Sequence, residues 1–313
     1  MDEESYRDVG GVWMHKAFGE ESILSAMSYK PREGDIITVT YPKCGTNWMQ
    51  MIIWNIITRA KQNPDVAQLS LMCPFIEMGG AGAAENPARM GPIMTHLPMS
   101  VFPPVEQAKY VYVARNPYDC VVSFYHFMKG STPKTVSDVS FERFLPMFLN
   151  GKAIYGDYFD HLLPWYEHRH DDNVLFVTYE QLKTDIKTQV LRIADFLGEK
   201  HGATLREDPS LLERVIEASS LNNMKALFKY GPAERMKKTA ELARKKGMPF
   251  KGPKDMSREN VEMHEGAGFV RKGIVGDWKN YFTPDQIART KQCIATKTGD
   301  SDVMMLWKDC DLP

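Results

Sequence analysis

Short apolar runs rich in β-branched residues alternate along the chain with longer segments of helical character. Asp35–Tyr41 (DIITVTY) predicts a buried strand. Thr46–Thr58 follows as a helix that is apolar nearly all round, which places it inside the fold. Tyr110–Arg115 (YVYVAR) predicts a second strand, and Asn116-Pro117 turns the chain into another helix, with Pro at its first position and Gly130 just past its end. Asn173–Tyr179 predicts a further strand, leading to a helix closed at Gly198, and Pro92–His96 has the same strand-like character. Strand then helix, repeated, points to an α/β fold with a central, mostly parallel sheet flanked by helices. No repeat, low-complexity tract or linker-like stretch divides the 313 residues, so a single domain over 1–313 is expected.

Two segments break this rhythm. Glu77–Pro92 is rich in Gly, Ala, Asn and Pro and reads as loop. Gly231–Gly268 gathers Lys237, Lys238, Arg244, Lys245, Lys246, Lys251 and Lys254 among Gly and Pro, a pattern that by itself suits a solvated face. Charge contributes mainly by exclusion. The 39 Lys and Arg against 40 Asp and Glu leave a net charge of −1, without the basic excess of a nucleic-acid binder. Hydrophobic residues at 43% suffice for a sizeable core. The five cysteines, Cys44, Cys73, Cys120, Cys293 and Cys310, are odd in number and form no C-x-x-C pair, so neither a disulfide framework nor a cysteine zinc site is indicated. The acidic start carries no secretory leader pattern, and Met49–Ile57, the most apolar run, contains Gln50 and Asn55 and is too short to span a bilayer. The cytosol is the expected location.

The candidate chemistry begins at Tyr41-Pro42-Lys43-Cys44-Gly45-Thr46-Asn47-Trp48, between the first strand and the first helix. In an open α/β sheet, anions bind where a strand's carboxyl end meets a helix N-terminus. Gly45 lets the backbone come close, the helix dipole adds about half a positive charge, and Lys43 adds a whole one. The loop is not a Walker A sequence, because G-x-x-x-x-G-K-[ST] and its Mg²⁺-binding hydroxyl are absent. Taken alone, the octapeptide suits a phosphate cradle and a tight turn with a surface lysine equally. Near the C-terminus, Arg271-Lys272-Gly273 offers two cations and a backbone amide for a second phosphate, or an ordinary surface turn.

Together the two motifs resemble those of the cytosolic sulfotransferase family, YPKSGTxW early and RKGxxGDWKNxFT late. This chain has YPKCGTNW and RKGIVGDWKNYFT. Thr95-His96-Leu97-Pro98, Ala114-Arg115-Asn116-Pro117, Ser123 with Tyr125-His126-Phe127, and Tyr179-Glu180 agree in between, so the resemblance spans residues 35–283. It implies transfer of a sulfuryl group from 3′-phosphoadenosine 5′-phosphosulfate (PAPS) to the hydroxyl or amine of a small acceptor, with release of 3′-phosphoadenosine 5′-phosphate (PAP). It also implies a P-loop-like phosphosulfate loop. Carried over by position, Lys43, Cys44, Gly45, Thr46 and Asn47 form that loop and Trp48 stacks on adenine. Arg115 and Ser123, with Arg271, Lys272 and Gly273, hold the 3′-phosphate. Tyr179, Ser219, Leu221 and Met224 complete the nucleoside pocket. Phe75, Met78, Phe127 and the loop Met248–Phe250 match acceptor-lining positions, and Gly231–Gly268 matches a lid.

The chemistry suits these residue types. Charge grows on the bridging oxygen of the leaving nucleotide, where Lys43 stabilises the transition state more than the ground state. The acceptor must lose a proton, and His96 is the side chain matched to that near neutral pH. No metal is needed, since the sequence supplies two positive clusters and no His/carboxylate ligand set. Aromatic positions favour a planar phenol or catechol, and an amine acceptor would need a carboxylate, for which Glu77, Glu142 and Asp138 are the candidates. Three departures stand out. Met94 replaces the usual Lys or Arg two residues before His96, and Cys44 replaces a Ser, placing a thiol beside the cosubstrate. In the family's dimer motif K-x-x-x-T-V-x-x-x-E, Lys279 and Thr283 match, but Pro284 and Ala288 replace Val and Glu, so the usual homodimer is not expected. A Golgi-type carbohydrate sulfotransferase would need a membrane anchor, and a P-loop kinase would need the missing GK[ST]. An alcohol or steroid sulfotransferase stands as the alternative within the family, and a nucleotide- and ligand-binding protein with little turnover as the non-enzymatic one.

Overall fold

The computed structural model describes residues 5–248, 262, 264 and 268–313. The chain opens with a hairpin, β1 (Tyr6–Val9) and β2 (Val12–His15), and helix α1 (Glu20–Ser28), before entering the central sheet at β3 (Ile36–Thr40). Helices α2 (Thr46–Thr58) and α3 (Val66–Met72) and two short turns, α4 (Ile76–Gly79) and α5 (Ala81–Ala84), lead to β4 (Ile93–Thr95). Then come β5 (Lys109–Ala114), α6 (Pro117–Gly130), α7 (Phe141–Leu149), α8 (Tyr158–Glu167) and β6 (Val174–Thr178). The elements described after β6 are helices: α9 (Tyr179–Thr184), α10 (Ile186–Leu197), α11 (Glu199–Glu207), α12 (Pro209–Ala218), α13 (Leu221–Leu227), α14 (Pro232–Lys245) and α15 (Pro284–Thr298).

Among the described residues the main sheet has four strands in the order β4-β3-β5-β6, all parallel. The chain leaves β3 towards β4 on one side and later returns to β5 on the other, which makes the carboxyl end of β3 a topological switch point. Period-two alternation sorts the core. Tyr110, Tyr112 and Ala114 of β5 face an aromatic-rich layer with Tyr41, Tyr158 and Trp165, whereas Val111 and Val113 face an aliphatic layer with Met49, Ile52, Ile53 and Val190. Helix α2 is buried from Met49 to Ile56 on all sides, as its apolar sequence requires, and Gln50 and Asn55 bond the carbonyls of Cys73 and Met51. No helix among the described residues is long and apolar enough to cross a membrane.

Some boundaries differ from the sequence reading. Gly130 lies inside the last turn of α6, and Ser131 is its C-cap. The helix closed at Gly198 is preceded by a separate one, because Asp185 leaves helical geometry to cap α10 through Thr188 N. Glu77–Pro92 is not all loop: α4 and α5 lie within and beside it, joined at Gly80 (φ 66°), where a Cβ would come within 2.9 Å of Ser25 Oγ. The basic segment opens with a helix. Residues 232–245 form α14, which packs on α3 through Arg235, Thr239 and Ala243, four residues apart, while Lys237, Arg244 and Lys245 are exposed. Lys251, Lys254 and the Pro249–Phe250 part of the acceptor loop lie outside the described residues. Thr283 and Pro284 serve as capping-box residue and first position of α15.

Candidate active site

The turn after β3 is built from two left-handed residues, Lys43 (φ 70°) and Gly45 (φ 113°). Glycine is required at 45 on two counts, since a Cβ there would also come within 3.1 Å of the Tyr179 ring. As N-cap, Gly45 brings no side chain to α2, so the first-turn amides of this 13-residue helix face the loop uncapped. Cys44 is fully buried and its thiol lies 3.7 Å from that of Cys120, with burial and Cys120 raising its pKa well above the ordinary value. The thiol expected in the loop is there, but it faces Cys120 in the core, so Cys44 offers the loop surface only its backbone.

His96 follows the last residue of β4 and is held on every side. Its Nδ1 lies 2.7 Å from the Thr40 carbonyl, which can only accept, so Nδ1 carries the hydrogen and Nε2 keeps a lone pair. Thr40 Oγ1 is 3.1 Å from the same Nδ1 and 2.7 Å from Thr46 Oγ1, which links the histidine to the first residue of α2. The His96 amide donates to Glu77 Oε1 at 2.5 Å, and its carbonyl accepts from His161 Nε2 at 3.1 Å. Phe75 and Tyr155 flank the ring edge-to-face, with centroids 5.1 and 5.2 Å away. Burial, with Lys43 adding to it, lowers the His96 pKa to about 4, so the imidazole is neutral at physiological pH.

The cations gather around the loop. Lys43 Nζ lies 4.4 Å from the centre of the Phe127 ring and 3.4 Å from the Phe269 carbonyl, and burial, then Arg115 and Arg271, lower its pKa to about 7. Arg115 bonds the carbonyls of Lys43 and Ile274 and sits 4.4 Å from the Tyr179 ring centre. Tyr179 meets the edge of Trp48 at 5.4 Å. The Nε atoms of Arg115 and Arg271 are buried without a partner among the described residues. Arg271 and Lys272 both turn onto Asp277, at 2.6 and 2.8 Å. Burial pushes that carboxyl up, but Lys272, Asn280 and Arg271 outweigh it and hold the pKa at about 2. Gly273 (φ 65°) packs on Leu221, where a Cβ would come within 2.7 Å of Cδ1. Ser123 lies one helical turn after Asp119, whose carboxylate accepts from Gly276 N and Trp278 N.

The remaining predicted positions are less uniform. Ser219 donates its hydroxyl to the carbonyls of Val215 and Ile216 in its own helix, and Met224 is core, packed with Met51, Trp54 and Phe228. Phe75, Met78, Phe127 and Met248 are half-buried. Met94 is buried on β4, opposite Thr38. Of the three candidate carboxylates, Asp138 and Glu142 are spent at the surface on Arg143 and Arg289. Glu77 alone adjoins His96, and burial raises its pKa to about 8 against the pull of the His96 amide. Sequence reasoning missed Thr40, Tyr155, Phe269 and Arg235. Arg235 is 9% exposed, donates to Ser70 Oγ at 2.8 Å and reaches Asn47 Oδ1 at 3.5 Å. No motif carries these four, since each reaches the site through contacts between residues far apart in sequence.

Uncapped amides and unpartnered guanidinium nitrogens fit an anion, and a neutral imidazole beside them fits the removal of an acceptor proton. That pairing belongs to group transfer from an anionic donor. The sequence matches the sulfotransferase domain family over residues 33–302, and the chain belongs to that family as a sulfotransferase. It is 31% identical over 306 residues to sulfotransferase 1C2 of Oryctolagus cuniculus, covering 93% of this chain and 92% of that one. It is 30% identical over 284 residues to the amine sulfotransferase of the same species, covering 89% and 85%. Among solved structures it is similar to mouse sulfotransferase SULT7A1 complexed with PAP, at 29% identity and a TM-score of 0.70, covering 97% of this chain and 98% of that one.

Proposed function

We propose that this sulfotransferase moves a sulfuryl group from PAPS to the hydroxyl of a small planar phenol or catechol in the cytosol. The observation that carries the reading is the Thr40 link. One residue fixes the tautomer of His96 through its carbonyl and reaches Thr46 of the anion loop through its hydroxyl. The base and the donor cradle are thereby set against each other before either substrate arrives.

The loop amides, Lys43 and Thr46 hold the 5′-phosphosulfate, while Arg115, Ser123, Arg271, Lys272 and Gly273 hold the 3′-phosphate. The partnerless Nε atoms of Arg115 and Arg271 fit such a ligand. The acceptor oxygen attacks sulfur, forming a new O–S bond as the bond from sulfur to the bridging oxygen breaks. The acceptor proton passes to His96 Nε2, and Lys43 meets the charge left on the departing phosphate oxygen. Phe75, Phe127 and Met78 lie on the acceptor side. A neutral acceptor is favoured because Glu77, the one candidate carboxylate near His96, is buried behind that residue's backbone and shifted towards its protonated form. Competition kinetics with labelled PAPS and matched phenol, phenethylamine and steroid acceptors test the assignment. The phenol should show the highest kcat/KM. A steroid ahead of both overturns the acceptor class, and absence of PAPS-dependent transfer to any of them overturns the reading.

A further inference from the structure

Arg235 is a cation out of place. It belongs to the basic stretch whose other residues on α14 largely face water, yet only 9% of it is exposed. Its guanidinium lies 5.1 and 5.4 Å from the ring centres of Phe228 and Phe269. No carboxylate pairs with it among the described residues: its hydrogen bonds run from Nε to Ser70 Oγ at 2.8 Å and from Nη1 to Asn47 Oδ1 at 3.5 Å. A buried guanidinium with two neutral oxygens as partners is poorly compensated for its loss of water unless an anion joins it. The surroundings point to where that anion sits. Asn47 is the second residue of α2, in the uncapped first turn, and the Phe269 carbonyl receives Lys43 Nζ. Arg235 thus stands at the Asn47 end of the anion loop, 36 residues before Arg271 and on a different element.

We propose that Arg235 is a nucleotide-binding residue that contacts the 5′-phosphate side of the adenosine phosphate donor and so ties α14 to the occupied loop. This rests on the donor-site reading above and adds a residue and a coupling to it. Binding of nucleotide then holds α14 against α3, since the same guanidinium touches Ser70 and Asn47.

The test compares wild type, Arg235→Ala, Arg235→Lys and Ser70→Ala by calorimetry with PAP, adenosine 5′-phosphate and adenosine 3′-phosphate. Thermal melts without nucleotide serve as the folding control. Arg235→Ala should weaken PAP and adenosine 5′-phosphate by about 10- to 100-fold, the range of a charge-assisted contact, and leave adenosine 3′-phosphate within about threefold. Arg235→Lys should recover part of the loss, and it carries the comparison if the alanine variant does not fold. Ser70→Ala, which cuts the tie to α3 but keeps the charge, should bind PAP nearly as wild type does. Equal losses for all three ligands, a loss confined to adenosine 3′-phosphate, or a Ser70→Ala defect as large as that of Arg235→Ala overturns the proposal. Wild-type protein that binds no PAP overturns the donor-site reading and this inference with it, whereas wild-type binding left unchanged in the Arg235 variants overturns the inference alone.

Discussion

Between Thr40 and Trp48 the chain builds one wall of the site from consecutive residues: a strand end, a two-residue left-handed turn and an uncapped helix start. The opposite wall is drawn from the turn after β5, α6, the α12–α13 junction, α14 and the stretch from Phe269 to Ile274, and two of its cations, Arg271 and Lys272, are partnered internally with Asp277. The first wall is rigid because backbone geometry sets it. The second is held in part by the Asp277 ion pairs, for which the phosphate of the proposed donor would compete. Fixed amides and a locked imidazole can stabilise a transition state without rearrangement, whereas exchangeable cations tune how tightly the donor is held.

The contrast breaks most visibly at the fixed wall. His96→Ala should lower kcat by about 10²–10⁴-fold, the usual effect of removing a general base, while calorimetry shows PAP affinity close to wild type. Near-normal turnover at neutral pH would dismiss His96 as the base. On the opposite wall, Arg115→Ala should weaken PAP by about 1.5–3 kcal/mol and weaken adenosine 5′-phosphate much less. Arg271→Ala should show the same selectivity with a smaller loss, because Asp277 already competes for that guanidinium. Equal losses for both ligands would move the 3′-phosphate elsewhere.

Lys43 sharpens the comparison through protons. Its pKa of about 7 leaves it largely neutral at pH 8 in the free protein, and an anionic ligand restores its charge. At pH 8, where the phosphates of PAP are already ionised, binding should therefore take up nearly one proton, read from calorimetry in buffers of different ionisation enthalpy. The uptake should vanish in Lys43→Met.

A last prediction concerns stability and its dependence on pH. Glu77 has a folded pKa of about 8, above the value of an exposed carboxyl, so the folded protein binds more protons than the unfolded one between about pH 4.5 and 8. Its contribution to stability falls as pH rises through that window. Glu77→Gln keeps an acceptor for the His96 amide and should remove this part of the slope in chemical denaturation. An unchanged pH profile would mean that Glu77 is ionised at neutral pH.

Legibility in the sequence followed the same division. Lys43, Gly45 and Thr46 sit in one contiguous motif, and the β3 and α2 patterns that place them are local, so the strand–turn–helix geometry of that wall could be read from residue order, while its use as an anion site came from the family resemblance. His96 stood out through the THLP match to that family and not through its position alone. Thr40 was not, because its role depends on a carbonyl direction and on a partner 56 residues away. Arg235 looked like one of many surface cations until α14 packed its face against α3, and its contacts to Ser70 and Asn47 span 165 and 188 residues. The turns α4 and α5 escaped notice because Gly and Ala are poor evidence for helix or loop in so short a stretch.

Thr40 also bears on how such an enzyme changes its clientele. The span between His96 and the loop after β3 is set by one fully buried residue at a strand end. In the proposed acceptor pocket Phe75 packs on the His96 ring and Phe127 on the Lys43 ammonium, so exchanging either for another ring size also disturbs the groups proposed as base and leaving-group cation. A library aimed at new acceptors on a constant chemical step therefore begins at Met78, while a shift of β3 by a single residue would move Thr40 and disable every variant at once.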